Sequence, residues 1–172
     1  VATAIALLMQ EDLGTETLVI CPKNLVGMWE GYFHEYRVHG KVMSLSMVTR
    51  DLESLRRHRV VIIDESHNLR NPKRKDYEAI KEYLELNESK VMLLTATPYN
   101  KEYLDVAGQL GLFIDGQADL GLQPDRAIGE HGLDGFLRKF DGRLSSLDAF
   151  RKSEEAEDWQ KLMSLFLVRR TR

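Results

Sequence analysis

Short apolar runs alternate with amphipathic segments over the first two thirds of the chain, and this alternation limits the possible folds most. Apolar runs occupy residues 18–21, 60–63 and 91–94, and the second consists of four β-branched residues. Such runs are typical of parallel strands that helices cover on both faces. A weaker alternating run at 41–48 adds a further strand. The pattern predicts an α/β fold with an open, mostly parallel sheet and helices on both faces.

Two segments have a strong helical stripe of apolar residues. The first follows Asn24, which can cap a helix, and the second follows an acidic stretch that begins at Glu154. The stripe positions are Leu25, Met28, Trp29, Tyr32, Phe33 and Tyr36 in the first, and Trp159, Leu162, Met163, Phe166 and Leu167 in the second. Eight of the twelve glycines lie at 108–142, where we expect loops and short helices. The sequence thus predicts a first domain at 1–112 and a glycine-rich, helical extension at 113–172.

Composition limits what the chain can do on its own. The formal net charge is −3, whereas a free-standing nucleic-acid binder is usually basic. No apolar run approaches the roughly 18 residues of a membrane span, and a single cysteine, Cys21, permits no internal disulfide. We therefore expect no membrane segment and an intracellular location, in the cytoplasm or nucleoid or in a nucleus. Because Val1 stands inside what reads as a helix, we also expect the chain to be part of a larger protein.

Two acids, Asp64 and Glu65, follow the second apolar run directly. In an open α/β sheet, ligands bind just beyond the carboxyl ends of the strands. Asp64 there can hold Mg²⁺, usually through water. Glu65 can orient and deprotonate a water that attacks a γ-phosphate. The alternative is an ordinary loop, because Asp-Glu pairs are common after strands.

The third apolar run ends in Thr95, Ala96, Thr97 and Pro98, at the same edge of the predicted sheet. The threonine hydroxyls can bond to the acids that follow the second run and sense whether a phosphate is present. The alternative is structural, with Thr97 capping a helix or Pro98 forming a turn.

The two segments together are much more specific than either alone. DESH followed by LLTATP is the arrangement of the superfamily-two helicase-like ATPases. LVICPKNLVGMWEGYF resembles motif Ia of the SWI/SNF-type DNA translocases, DESHNLRNPKRKDYEAI their motif II with the next helix, and LLTATPYN their motif III. GQLGLF resembles the helix after motif III, and SLFLVRRTR the arginine-rich end of the first lobe. The resemblance covers most of the chain, is weakest at about 114–152, and implies the first RecA-like lobe of such an ATPase.

The resemblance also implies roles for the residues at the predicted sheet edge. Asp64 would be the Mg²⁺ ligand and Glu65 the general base, while His67 would link the nucleotide site to motif III. Thr95 and Thr97 would couple ATP hydrolysis to movement. ATP and Mg²⁺ are therefore the cofactors we expect in the parent protein.

The implied partners are the backbone of double-stranded DNA and a second RecA-like lobe, which the chain lacks. Binding to DNA would be mainly to phosphates, with little sequence readout. The positions implied for the DNA backbone are Pro22, Lys23, Asn24, Thr49 and Arg50. Arg169 and Arg170 would lie at the junction between the lobes, or alternatively in a solvated tail.

One departure from the family concerns the nucleotide itself. The phosphate-binding loop, G-x-x-x-x-G-K-[ST], is absent, and VATAIALLMQ resembles the helix that directly follows it. That loop supplies backbone amides, a lysine and a contact to Mg²⁺. Losing three charge-assisted hydrogen bonds would remove about 5–9 kcal/mol. We therefore expect this chain alone to bind ATP at millimolar strength or weaker, and not to hydrolyse it. A smaller departure is Ser66, where the family usually has alanine.

Two other functions stay open from the residues alone: a P-loop ATPase that does not act on nucleic acid, and a non-catalytic interaction module with a motor fold. The basic residues at 70–75 could contact DNA or pair with Asp76 and Glu78 on a solvated face, and those at 56–59 present the same choice. Trp29 could stack on a base, although its helical stripe favours core packing. The histidines lack metal-ligand spacing with the cysteine, which argues against zinc.

Overall fold

The computed structural model describes residues 1–99 and 102–168. Contacts divide the chain into two compact units, Val1–Pro98 and Tyr99–Arg172. This boundary precedes helix α5, Leu104–Leu110, which therefore belongs to the second unit. The division into domains at 1–112 and 113–172 that the sequence predicts stays a prediction. In the described part of the chain, no helix combines the length and apolar character needed to cross a membrane.

The first unit is built on a parallel sheet with the strand order β2-β1-β3-β4. The strands are β1 Thr17–Cys21, β2 Gly40–Ser44, β3 Val60–Asp64 and β4 Lys90–Leu94. All neighbouring strands pair in parallel, with Val19 opposite Ile62 in the centre. Each strand therefore lies where an apolar run predicts one. β2 is shorter than its run, because residues Leu45–Met47 form a 3₁₀ turn.

Helices cover both faces of this sheet. The helices of the first unit are α1 Ala2–Leu13, α2 Val26–Tyr36, α3 Val48–Asp51 and α4 Lys75–Asn87. On one face, Ala6, Trp29 and Phe33 from α1 and α2 pack against Val19 and Ile62. The strand residues that alternate with these, Leu18, Ile20, Val61 and Ile63, are at most 1% exposed on the other face, where α3 and α4 contact each other. The predicted α/β class, open parallel sheet and covering helices are confirmed.

The predicted start of helix α2 is wrong by one residue, since the N-cap is Leu25. Asn24 does not cap α2, because residues Lys23–Leu25 first form a 3₁₀ turn that the Leu25 N–H closes on the Pro22 carbonyl at 2.9 Å. Half of the apolar stripe of α2 also stays in solvent, with Met28 39% and Tyr36 48% exposed. Helix α2 therefore buries a narrower stripe than its sequence predicts.

The second unit is helical in its described part. Besides α5, its helices are α6 Asp125–His131, α7 Leu133–Lys139, α8 Leu147–Phe150 and α9 Ala156–Phe166. Trp159, Leu162 and Met163 of the predicted stripe are buried against Val106 and Phe150, with Phe166 left 39% exposed. The glycine-rich segment thus consists of loops and short helices, as predicted, and a helical extension follows the sheet.

Candidate functional site

The carboxyl ends of the strands lie along one edge of the first unit, because every strand pair is parallel. Asp64 is the last residue of β3 and is paired with Leu94, the last residue of β4. Glu65 follows on one strand and Thr95 on its neighbour. This register brings the two predicted motifs side by side.

The carboxylate of Asp64 is held by a hydrogen bond on each oxygen. The indole Nε1–H of Trp29 donates to Oδ2 at 2.9 Å, and the backbone N–H of Glu65 donates to Oδ1 at 2.9 Å. Asp64 is half-buried, whereas Trp29 is only 4% exposed. A carboxylate offers about four lone-pair sites, so both oxygens keep capacity for a further contact.

Glu65 has a left-handed backbone conformation, with φ 51° and ψ 45°. For a residue with a Cβ this conformation costs about 1–2 kcal/mol. It starts the 3₁₀ turn Ser66–Leu69, and the Glu65 carbonyl then accepts the backbone N–H of Asn68 at 3.0 Å and its side-chain amide at 2.9 Å. The chain therefore turns sharply at the predicted general base. Ser66 is fully buried in this turn, so only a small side chain fits there.

His67 connects the two motifs. Its Nδ1 lies 3.1 Å from Oε2 of Glu65 and 3.3 Å from Oγ1 of Thr95. A single ring N–H donates well to only one of these acceptors at a time, and an unprotonated Nδ1 can instead accept from the threonine hydroxyl. The His67 and Glu65 side chains are 30% and 38% exposed, so both face accessible space.

Thr97 enters this network through its backbone, since its N–H donates to Oγ1 of Thr95 at 3.1 Å. It does not cap a helix in the described residues, because α5 begins only at Leu104. The structure thus brings Asp64, Glu65, His67 and Thr95 together, with Thr97 in support.

The residues predicted along DNA lie at the same edge, on the turn after β1 and on the short helix that follows β2. Lys23 and Asn24 are exposed in the 3₁₀ turn after β1, next to half-buried Pro22. Thr49 and Arg50 are exposed on α3. These two segments place all five at the carboxyl end of the sheet.

Arg50 is paired with its neighbour on α3. Its Nε lies 2.6 Å from Oδ1 of Asp51, and Nη2 lies 2.9 Å from Oδ2. The hydrogen bond and the charge of the guanidinium lower the pKa of Asp51. Arg50 would have to leave this carboxylate in order to bind a phosphate.

A cavity of about 290 Å³ adds basic residues beside Thr49. Its lining consists of Leu45, Ser46, Thr49, Arg74, Lys75 and Asp76. Arg74 and Asp76 form a two-bond pair, with Nε to Oδ1 at 2.9 Å and Nη2 to Oδ2 at 2.5 Å. Arg74 therefore follows the solvated-face alternative, while Lys75 lies on the cavity wall next to a predicted DNA contact.

The arginines at 56 and 57 follow the same alternative, whereas His58 does not lie on a solvated face. Arg56 pairs with Glu16 at 2.5 Å, and Arg57 pairs with Glu88 at 3.0 Å. His58 is buried at 2% exposure and bonds to the hydroxyl of Tyr83. The remaining predicted site residues, Arg169 and Arg170, lie outside the described residues.

Trp29 is the site residue that the sequence did not reveal. Its burial agrees with core packing and excludes base stacking in this conformation, but its indole N–H also reaches Asp64. The available signal was chemical, because a buried indole N–H usually finds an acceptor. Nothing in the local pattern indicates which acceptor, since 35 residues separate the two side chains.

The donor set at the sheet edge suits Mg²⁺ rather than a metal caged by protein. Among residues 1–99 and 102–168, no group of three or more His, Cys, Asp or Glu side chains could hold a metal ion. Mg²⁺ usually takes one or two carboxylates, several waters and substrate phosphates. Asp64, with capacity left on both oxygens and Glu65 beside it, fits that requirement.

Comparisons with known proteins find a matching family model and a similar solved structure. A family model for DEAD/DEAH box helicases matches residues 34–106, which include the DESH and TATP segments. A search of curated proteins finds no match. Among solved structures, the chain is similar to the Sulfolobus solfataricus SWI2/SNF2 ATPase core in complex with dsDNA, with a TM-score of 0.61 at 20% identity.

That similarity covers 98% of this chain and 36% of the archaeal one, so the chain spans about a third of its relative's length. Both findings agree with the parallel sheet and with the motifs at its carboxyl edge. The chain therefore has the RecA-like fold of a SWI2/SNF2 ATPase core, and its residues 34–106 match the family model for DEAD/DEAH box helicases.

Proposed function

We propose that the chain is the first lobe of an ATP-dependent translocase that moves on double-stranded DNA. The observation that carries the proposal is the cluster of Asp64, Glu65, His67 and Thr95 at the carboxyl edge of the sheet. Mg²⁺, when bound with ATP, would neutralise phosphate charge there. A DNA substrate would place the protein inside the cell, in the cytoplasm or nucleoid or in a nucleus.

Each residue of the cluster has a separate task in this proposal. Asp64 would hold Mg²⁺, directly or through water, and Glu65 would take a proton from the attacking water. His67 lies within reach of both Glu65 and Thr95. A change in its partner would therefore transmit the state of the nucleotide to Thr95 and Thr97.

DNA would run along the loops at the same sheet edge. Lys23, Asn24 and Thr49 are exposed there, and Lys75 lies on the cavity wall that Thr49 shares. These residues offer backbone contacts rather than base readout. The relative of known structure was solved with double-stranded DNA, which supports this choice of partner.

In this proposal, parts of a larger parent protein would complete the site. A phosphate-binding loop and a second lobe would supply the remaining phosphate contacts, and Arg169 and Arg170 would lead into that lobe. The chain by itself would bind ATP at millimolar strength or weaker and would not hydrolyse it. Calorimetric titration of the chain with Mg·ATP tests this, and micromolar binding would contradict it.

The decisive experiment replaces the proposed base in the full-length protein. Glu65→Gln keeps the size of the side chain and removes its proton affinity, so ATP hydrolysis should fall by roughly 10²–10⁴-fold while ATP binding persists. Glu82→Gln, on the exposed face of α4, is the matched control and should hydrolyse ATP like wild type.

The same assay separates the alternatives when it is run with and without double-stranded DNA. Stimulation by DNA supports the translocase. Hydrolysis that DNA leaves unchanged would favour an ATPase that acts on another substrate. Hydrolysis that survives Glu65→Gln would remove Glu65 as the base.

A further inference from the structure

The indole of Trp29 links helix α2 to the end of β3. Its ring is packed among Val19, Cys21 and Ile62, and its edge meets Tyr32 with ring centroids 6.1 Å apart at 85°. The ring is 4% exposed, so it cannot rotate without opening the core. Its N–H therefore points in a fixed direction, at Oδ2 of Asp64.

The indole is an uncharged hydrogen-bond donor to the carboxylate that is proposed to bind a cation. Its N–H is a donor only and carries no net charge. It can therefore orient Asp64 without competing for the metal and without cancelling the negative charge. An arginine or lysine at this position would fix the carboxylate equally well, but it would weaken the attraction of the carboxylate for Mg²⁺.

We propose that Trp29 is a positioning residue of the hydrolytic site, a role that rests on the function proposed above. The indole N–H holds Oδ2 of Asp64 while the backbone N–H of Glu65 holds Oδ1. Two donors from different elements fix the plane of the carboxylate, and each oxygen keeps capacity for a further contact. Helix α2 thereby sets the geometry of the metal ligand in addition to packing on the sheet.

The inference predicts a defect in metal dependence. In the full-length protein, Trp29→Phe keeps an aromatic ring in the core and removes the donor. The Mg²⁺ concentration for half-maximal ATP hydrolysis should rise about tenfold, the usual effect of losing a hydrogen bond to a metal ligand. The rate at saturating Mg²⁺ should stay close to that of wild type.

Phe33→Leu is the matched control for core packing. Phe33 lies one turn later on the same helix and in the same apolar cluster, at 8% exposure. This variant should lower stability and leave the Mg²⁺ dependence at its wild-type value. Equal shifts in both variants, or no shift in Trp29→Phe, would overturn the positioning role. If Trp29→Phe fails to fold, benzothienylalanine is placed at position 29, because it removes only the N–H. The Mg²⁺ dependence of ATP hydrolysis is then measured again: a shift supports the positioning role, and no shift overturns it.

A second readout does not depend on hydrolysis. The chain has two tryptophans, so its ¹⁵N spectrum should contain two indole signals, of which Trp29→Phe removes one. The indole of Trp159 donates to the Ser153 carbonyl at 2.9 Å in the other compact unit and is an internal reference. Asp64→Asn should move the Trp29 signal and leave that of Trp159 in place. An unmoved Trp29 signal would contradict the hydrogen bond.

The two proposals can fail separately. A full-length protein with no Mg²⁺-dependent ATPase would remove the proposed function, and the role of Trp29 in it. A protein that hydrolyses ATP, with a Trp29→Phe variant of unchanged Mg²⁺ dependence, would remove only the role of Trp29.

Discussion

Two aspartates, Asp64 in the first compact unit and Asp158 in the second, are held by hydrogen-bond donors in contrasting ways. Asp64 ends β3, is half-buried and accepts two hydrogen bonds, one on each oxygen. Asp158 lies in the first turn of α9, is 2% exposed and accepts three. These come from the backbone of Arg126 at 2.9 Å, the backbone of Ala127 at 3.0 Å and the hydroxyl of Ser153 at 2.7 Å.

The difference separates a carboxylate that the protein nearly saturates from one that has room for the metal contact proposed above. Asp158 connects the start of α6 to the loop before α9, and the protein takes up most of its capacity as an acceptor. Asp64 is oriented by two donors but keeps room on both oxygens and access to solvent. The turn that follows Asp64 lowers the stability of the fold, because the backbone of Glu65 is left-handed there. Such strain often marks functional sites.

The largest expected effect is on hydrolysis through Asp64. Asp64→Asn in the full-length protein should lower the ATPase rate about a hundredfold or more, because a neutral amide stabilises the metal and the transition state poorly. Stability should fall only by about 1 kcal/mol, because one donor loses its acceptor. Steady-state kinetics and urea denaturation measure the two. A large loss of stability with little loss of rate would make Asp64 a second structural carboxylate.

Asp158→Ala should give the converse result. Three donors lose their acceptor, so the free energy of unfolding of the chain should drop by about 3 kcal/mol or more. Asp134→Ala is the control, since Asp134 is exposed in the first turn of α7 and should contribute about 0.3–1 kcal/mol. Urea denaturation compares them. Similar losses in both variants would show that burial and saturation of Asp158 add nothing.

The contrast also indicates what the sequence could predict. The strands, their parallel pairing and the edge shared by the two motifs follow from local patterns, because four β-branched residues before two acids leave few alternatives. The partners of the two aspartates do not follow from local patterns. Trp29 lies 35 residues from Asp64, and Arg126 lies 32 residues from Asp158. Such contacts depend on where a whole helix is placed.

The wrong start of helix α2 has a related cause. Asn24 has the right side chain for a cap, but the chain turns after Pro22 before α2 can begin. The stripe of α2 has apolar residues on more of its surface than the sheet can cover, and Met28 and Tyr36 stay exposed. Periodicity identifies a helix, whereas the width of its buried face depends on its neighbours.

A smaller expected effect is on DNA binding, and it concerns the two cations that line the cavity beside Thr49. Arg74 is saturated by Asp76, whereas Lys75 has no ion-pair partner within the part of the chain that the structure describes. In the full-length protein, Lys75→Gln should reduce the salt dependence of DNA binding by about one phosphate contact, a change in slope of roughly 0.9. Lys81→Gln, on the same helix and paired with Glu85 at 3.6 Å, is the control. Equal slopes in both variants would remove Lys75 from the DNA path.

The smallest expected effect is on the pH dependence of stability, and it comes from His58, whose surroundings differ from those of His67. His67 is accessible at the sheet edge, whereas His58 is buried with Nδ1 2.9 Å from both the Tyr83 hydroxyl and the Arg56 carbonyl. Burial lowers the pKa of His58 below 6.5, against a smaller opposite effect of the Arg56 carbonyl. As the pH falls, the unfolded chain therefore gains this proton first.

The free energy of unfolding should thus decrease below about pH 6.5, and above that value His58 contributes no pH dependence because it is neutral in both states. His58→Gln should remove this part of the pH dependence while the contribution of the other groups remains. Urea denaturation of the chain between about pH 8 and pH 5 compares the two proteins. If the free energies of unfolding of wild type and His58→Gln change with pH in parallel, the folded chain accommodates a charged His58. Burial would then not keep this side chain neutral.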